Sequence, residues 1–457
     1  MSRQFGKGQK WSYSMGNFAT WFINSAFNLW VFSFYYAAVR LPINYIMTAY
    51  LIWTIWNAVN DPILGYISDR IHTRWGRRKP FAMIGLIPVL ILEIIIWTPP
   101  TGSHYLQFLY LLIMLLVYDT AYSMITIPVD SLFPELYTTF EERAEVNTIR
   151  QILAAIGLIA SALVPGIFIG ELDQIDGYLL NGIATTIIVA VSMIIFIKWG
   201  AIEKEEFKMD YKQDFGFFKG LFHAFSNLGF IMYIIMFFLY EYVLLLLATV
   251  VPLFGTHVIG TTSSFETSIL MGLLYIISII SIFIWRIVDV KLGGRTGYMI
   301  SIICYIGGTI PWLWVNTYFM ALIVIVFMGF GFGGMLYFIW LLVSDVIDQD
   351  ELKTGVRREG LFFGFSYFFM RLSMILSIVT VSFVFTQTGW DEYDPNPGID
   401  TIAGLKFLFV VVPWIALGVS LVCLYIYPLT KSKVEEIKQK LADLHKEKLE
   451  RIEKKIN

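Results

Sequence analysis

A short polar stretch interrupts the second of the long apolar segments in this sequence. Asn57, Asn60 and Asp61 follow one another at helical spacing, which places their side chains on one face of a helix. Oxygen-bearing side chains grouped in this way suit a hard cation such as Na⁺, or a proton carried by Asp61. Hydrogen bonding between packed helices is the alternative interpretation of the same pattern.

Two further apolar segments carry polar side chains in stripes. The stripe in the fourth segment consists of Asp119, Ser123, Thr126 and Asp130, and the one in the first segment of Asn17, Trp21, Asn24 and Asn28. Either stripe could form the wall of a cavity. Asp130 lies near the end of its segment and could instead be interfacial, and the first stripe could hold helices together through hydrogen bonds.

Arg371 lies deep inside the eleventh apolar segment, too far from its ends for the guanidinium to reach water easily. A buried charge of this kind needs a partner, and the candidates are Asp61, Glu241 and Glu93. Arg150, at the start of the fifth segment, favours a structural role near the membrane face.

The elements that position these residues follow from composition. Of the 457 residues 57% are hydrophobic and only 15% are charged, against about 25% in soluble domains. A lipid-facing surface accounts for the deficit, and segments of about 20 apolar residues can span a bilayer as helices. We predict an all-α membrane protein with twelve transmembrane helices. The predicted spans are 14–39, 44–67, 81–99, 103–130, 146–170, 177–199, 225–255, 266–288, 297–316, 319–346, 359–386 and 402–428.

The distribution of charge predicts the orientation. Basic clusters occupy one set of loops, at 70–79, 204–219, 291–295 and 353–358, whereas the opposite loops are mainly acidic. By the positive-inside rule both termini are cytoplasmic, and we expect a multi-pass protein of the cell membrane.

The longest charged interior stretch divides the spans six and six, the layout of major facilitator transporters. The predicted domains are an N-terminal six-helix bundle, a cytoplasmic linker, a C-terminal six-helix bundle and an exposed cytosolic helical tail. Their predicted bounds are 1–199, 200–224, 225–430 and 431–457.

Several classes of function are disfavoured. The net charge of −2 argues against nucleic-acid binding, and Cys304 and Cys423 form no disulfide or metal framework. The sequence contains no nucleophile elbow, Walker motif or H-E-x-x-H, so we expect no enzyme. Gly329, Gly331 and Gly334 match a nucleotide-binding pattern, but they follow no strand, and we expect close helix packing there instead.

Several stretches carry a family resemblance. Gly65, Asp69 and Arg70, followed by 75–80, resemble the cytoplasmic loop signature of major facilitators, in which Asp69 beside arginines holds an inner gate. We assign this gate to Asp69, Arg70, Arg77 and Arg78. The stretch 56–62 is more specific, and together with 127–150 and 345–360 it resembles the glycoside–pentoside–hexuronide:cation symporters, the melibiose permease family. The resemblance covers nearly the whole chain.

The resemblance implies a twelve-helix major facilitator bundle that moves a sugar-like solute with Na⁺, Li⁺ or H⁺ by alternating access. The cation-site positions of the family fall on Asn57, Asn60, Asp61 and Ser123, with Asp61 as the charged ligand of the ion. The sugar-site positions fall on Trp21, Thr126, Arg150 and Arg371.

This chain departs from the family at three of these positions. Where the melibiose permease has Asp, it carries Asn57, Trp21 and Thr126. One carboxylate in the cation site favours proton coupling through Asp61. The loss of two acids beside Arg371 makes an anionic solute, such as a hexuronide, plausible.

We therefore predict a cation-coupled symporter for a sugar, glycoside or hexuronide-like solute, with no cofactor beyond the coupling Na⁺ or H⁺. Its expected partners are the solute, the cation and membrane lipid, and we expect a monomer. Two alternatives remain open. One is transport of a lysolipid or other organic anion on the same fold, and the other is a non-transporting receptor or scaffold that signals through the tail.

Overall fold

The structure is a computed structural model, and it describes residues 6–70, 78–137, 140–202, 227–354, 359–441 and 443. No strand occurs in these ranges, and twelve long helices correspond one to one with the predicted spans. They are α1 (Lys7–Ser33), α2 (Ile43–Arg70), α3 (Arg78–Ile95), α4 (His104–Leu136), α5 (Phe140–Phe168), α6 (Ile175–Ile195), α7 (Leu228–Phe254), α8 (Ser264–Leu292), α9 (Gly294–Thr309), α10 (Tyr318–Thr354), α11 (Glu359–Gln387) and α12 (Ile399–Ile426).

Within the described ranges, nine helices, α4 to α12, are long and apolar enough to cross a membrane. Of the other three, α1 carries several asparagines, α2 carries the polar stretch, and the 18 residues of α3 include Arg78, Lys79 and Glu93. We refer to α1–α6 as the N-terminal half and to α7–α12 as the C-terminal half.

Close approach between helices explains the glycine-rich run in α10. A Cβ atom on Gly331 would collide with the backbone of Tyr305 on α9, and one on Gly334 would collide with Ser301. On Gly329 it would lie 3.1 Å from the Ile277 side chain of α8. The expectation of close helix packing at these glycines is confirmed, since only a residue without a Cβ lets α10 lie so near both neighbours.

The two halves meet at one end of the bundle. We call this end, formed by the loops 39–42, 169–174 and 388–398, the acidic face. Its acidic loop residues are Glu171, Asp173, Asp391, Glu392 and Asp394. The Ile43 N–H donates to the Asp391 carbonyl at 2.9 Å, and the Ser264 N–H donates to the Gly170 carbonyl at the same distance. The Tyr36 hydroxyl donates to the Trp390 carbonyl. Backbone and aromatic contacts therefore close the bundle at the acidic face.

The tail begins as a helix over 431–441 that packs against the C-terminal half. Ile437 and Leu441 are only 3% and 5% exposed. Lys438 Nζ lies 3.7 Å from Asp345 Oδ1, and Lys431 donates to the Val290 carbonyl at 3.0 Å. The prediction of a wholly exposed tail helix is wrong for this stretch, because its apolar residues recur every three to four positions and form a stripe that can be buried.

Candidate functional site

The polar stretch of α2 faces α4 near the middle of both helices. Asn57 Nδ2 donates to Asp119 Oδ1, and Asn60 Nδ2 donates to Asp119 Oδ2 at 3.2 Å. All three residues are only 4% exposed. Because Asn57 and Asn60 lie on one helical face, their two amides can each donate to one oxygen of the same carboxylate.

Asp61, on the same face of α2, receives donors from two other helices. Ser123 Oγ of α4 donates to Asp61 Oδ1 at 2.5 Å, and Arg371 Nη2 of α11 donates to Asp61 Oδ2 at 2.9 Å. Because α11 belongs to the C-terminal half, this second contact joins the two halves across the middle of the bundle. The Arg371 and Asp61 side chains are 28% and 36% exposed, so the ion pair is only partly buried.

Of the three carboxylates considered as partners of Arg371, the structure selects Asp61. Glu241 of α7 is near enough to Arg371 to attract it electrostatically, but it accepts no hydrogen bond from it in the described contacts. Glu93 lies in the N-terminal half, 1% exposed and beside Tyr118.

We call Asn57, Asn60, Asp61, Asp119, Ser123 and Arg371 the central cluster. It contains two carboxylates, whereas the sequence interpretation counted one in the cation site. Asp119 is the added carboxylate, since it lies across the helix interface and accepts from both amides. The available signal was the spacing of Asp119 and Ser123, one turn apart on α4, which places both on the side that faces α2.

Such a cluster can hold a monovalent cation. Carboxylate, amide and hydroxyl oxygens are the ligands of hard cations, and carboxylates inside a membrane protein also carry protons. In the observed arrangement each oxygen of Asp61 and Asp119 accepts a hydrogen bond from a protein donor. Each of these oxygens keeps a second lone pair that could coordinate a cation.

Arg150 forms a second polar group nearer the opposite end of the bundle. Its Nε donates to Asn17 Oδ1 at 2.8 Å, and its Nη2 donates to Asp130 Oδ1 at 2.9 Å. The guanidinium carbon lies 4.4 Å from the centroid of the Phe133 ring. These contacts tie α1, α4 and α5 together.

Comparison with known proteins decides the family. The model of the family described as MFS/sugar transport protein matches residues 12–431. The chain belongs to this family of membrane transporters. The resemblance to glycoside–pentoside–hexuronide:cation symporters is thereby confirmed, and the protein is a transporter rather than an enzyme.

Two curated relatives show the breadth of the family. The isoprimeverose transporter of Lactiplantibacillus pentosus is 25% identical over 95% of this chain and 91% of its own length. The sodium-dependent lysophosphatidylcholine symporter 1 of Xenopus tropicalis is 22% identical over 85% of this chain and 80% of its own. The solved structure of the nucleoside transporter NupG matches the fold with a TM-score of 0.67 at 14% identity, over 92% of this chain and 100% of that one.

Two of the expected solute-binding residues, Trp21 and Thr126, belong neither to the central cluster nor to the group around Arg150. Trp21 of α1 exposes 49% of its surface, which leaves the indole free to stack on a ring. The hydroxyl of Thr126 donates to the Tyr122 carbonyl of its own helix at 3.2 Å. Its partner is therefore local, and a solute could compete for it.

Of the four residues expected to form the gate, only Arg78 has a side chain that the structure describes. Asp69 and Arg70 end α2, but their side chains lie outside the described part of the structure, as does the whole of Arg77. Arg78 begins α3, is buried, and donates through Nη1 to Ser68 Oγ at 2.9 Å. One of the expected gate arginines thus joins the end of α2 to the start of α3.

Proposed function

We propose that this family transporter is a cation-coupled symporter that moves a sugar, glycoside or hexuronide-like solute across the cell membrane by alternating access. The observation that carries the proposal is the position of Asp61. It accepts a hydrogen bond from Ser123 in its own half and from Arg371 in the other half. One carboxylate is thus shared between a cation-type oxygen cluster and the contact that joins the halves.

Coupling follows from competition for that carboxylate. Asp61 without a cation holds Arg371 through a charge-assisted hydrogen bond, the stronger kind. A cation or proton bound at Asp61 neutralises it and weakens its attraction for Arg371. The released guanidinium can then donate to the solute, so that cation and solute favour the same state of the two halves.

The solute cavity of this proposal is lined by Trp21, Thr126, Arg150 and Arg371. The indole stacks on a sugar ring, and a planar guanidinium can donate two parallel hydrogen bonds to a carboxylate or to neighbouring hydroxyls. The relation to an isoprimeverose transporter supports a glycoside. The two arginines support an acidic sugar equally well.

The acidic face would lie outside and both termini in the cytoplasm, as the basic loops require. Alternating access would then rock the bundles 1–199 and 225–430 about the linker 200–224, with the protein as a monomer surrounded by lipid.

A lysolipid or another amphipathic organic anion is the second candidate solute. It is favoured by the relation to a sodium-dependent lysophosphatidylcholine symporter. Arg371 and Arg150 would bind the anionic group, and the apolar tail would lie between helices.

Uptake into proteoliposomes tests the function. We would offer pentoses, glycosides, hexuronides and a lysophospholipid under an imposed Na⁺ gradient and, separately, under a proton gradient. The expected result is accumulation of one solute class above equilibrium under one gradient.

Asp61→Asn should abolish accumulation but retain solute exchange. Asp400→Asn, an exposed acidic residue outside the cluster, is the matched control. Full accumulation by Asp61→Asn would overturn the proposed coupling.

A further inference from the structure

Asp119 is the least expected member of the central cluster. It is not among the positions that the family resemblance assigns to the cation site. Its side chain is nevertheless buried, 4% exposed, at the middle of α4. Amide groups from Asn57 and Asn60 donate to its two separate oxygens. A carboxyl group that accepts at both oxygens is in the arrangement of the ionised form, which is acceptor-only.

The formal charges of the cluster show what Asp119 adds. Asp61 and Arg371 alone form a neutral pair, and a cation added to them would leave an uncompensated positive charge away from water, which is costly. With Asp119 ionised, the hydrogen-bonded cluster carries two negative charges and one positive. One monovalent cation makes it neutral while Arg371 remains nearby.

A second observation also points to a ligand. Asn57 is 4% exposed, and its Oδ1 is a buried acceptor that receives no hydrogen bond among the described residues. Leaving a buried polar atom without a partner costs about 1–3 kcal/mol, so native structures rarely do so without a reason. A bound cation would use this oxygen as a ligand, whereas a proton on Asp61 would leave it as it is.

We propose that Asp119 is the second anionic ligand of the coupling-cation site, and that it makes this a site for Na⁺ or Li⁺ rather than for a proton alone. The inference rests on the proposed function of cation-coupled symport. The ion takes oxygens from Asp61, Asp119, Ser123 and Asn57. The amide nitrogens of Asn57 and Asn60 hold Asp119 in place, and the unpartnered Oδ1 of Asn57 is the oxygen that this residue offers to the ion.

The melibiose permease carries a carboxylate at the position of Asn57. In this chain Asp119 of α4 supplies a carboxylate from the opposite side of the same helix interface. Asn57 and Asp119 touch, so a charge on either side chain reaches the same ion. The exchange keeps the charge of the site while altering which helix supplies it. A sequence comparison made one position at a time counts the loss at Asn57 and overlooks the gain.

The test measures Na⁺ binding separately from transport. For the purified transporter in detergent, we would follow the rise in unfolding temperature with NaCl against choline chloride, and for proteoliposomes the Na⁺ concentration for half-maximal solute uptake. Asp119→Asn should abolish the Na⁺-dependent rise and increase the half-maximal concentration at least tenfold. Asp400→Asn should behave like the unmodified protein in both measurements.

The double variant Asn57→Asp with Asp119→Asn guards against simple loss of folding. It returns the carboxylate to α2 and should restore Na⁺ binding to within about threefold of the unmodified protein. Unchanged Na⁺ dependence in Asp119→Asn, or accumulation driven by protons but not by Na⁺ or Li⁺, would overturn the inference and leave symport standing. Absence of any cation-driven accumulation in the unmodified protein would overturn the proposed function itself.

Discussion

Two arginine–carboxylate pairs in this transporter have the same N–O distance and different surroundings. Arg371 and Asp61 approach to 2.9 Å, as do Arg150 and Asp130. The first pair joins the two halves, with both side chains partly exposed at 28% and 36%. The second lies within the N-terminal half, where Arg150 is 13% exposed and Asp130 70%.

The difference teaches that position in the bundle, and not the strength of the contact, decides what an ion pair does. In the proposed alternating access, a pair between the halves breaks or changes partners when the halves move, so its energy enters the transport cycle. A pair within one half is preserved through the cycle and holds α1, α4 and α5 together. We therefore expect changes at the first pair to alter coupling and changes at the second to alter only rate or stability.

The largest effect is expected from Arg371→Gln. Removing the guanidinium leaves Asp61 with no charged partner, and the initial rate of solute uptake should fall on the order of 100-fold, while Na⁺ binds more tightly. Uptake into proteoliposomes and Na⁺-dependent unfolding temperature measure the two parts. Arg286→Gln, exposed on α8, is the control. Uptake reduced no more than twofold would remove the distinction between the pairs.

A double-variant cycle sharpens the comparison. Asp61→Asn combined with Arg371→Gln removes both charges, so no charge is left without its partner. Solute exchange should recover about tenfold relative to Arg371→Gln alone, a coupling energy of about 1–2 kcal/mol, while accumulation stays absent. Strict additivity of the two single changes would show that the contact across the halves carries no energy of its own.

Arg150→Lys tests the second pair. Lysine keeps the charge but lacks the planar fork that reaches Asn17 and Asp130 together. We expect solute uptake to fall about 3- to 10-fold through poorer positioning, with the Na⁺ concentration for half-maximal uptake unchanged. A shift of that concentration as large as in Asp119→Asn would place Arg150 in the coupling machinery after all.

The smallest effect is expected at the tail helix, far from both pairs. Ile437→Asp places a charge against the C-terminal half at a position that is 3% exposed. The unfolding temperature should fall by about 2–4 °C, with uptake within twofold of the unmodified protein. Gln439→Asp adds the same charge at an exposed position of the same helix and should change neither quantity. Loss of cation dependence in Ile437→Asp would link the tail to the transport cycle.

The sequence predicted some parts of the site well because they are local. Asn57, Asn60 and Asp61 lie within five residues, so helical periodicity alone places them on one face, and the structure has them there. The tail shows the limit of such reasoning. Charge alternation indicated an exposed helix, while the apolar stripe that buries Ile437 needed the surface of the C-terminal half to receive it.

The sequence by itself determined that this is a helical membrane transporter, because hydropathy, loop charge and short motifs are properties of neighbouring residues. The tertiary structure decided which charges meet. Asp61 and Arg371 are 310 residues apart, and Asp119 is 62 residues from Asn57. Contacts over such distances depend on how helices pack against one another. Helix packing therefore selected Asp61 among the three possible partners of Arg371, and it brought a second carboxylate to the polar stretch of α2.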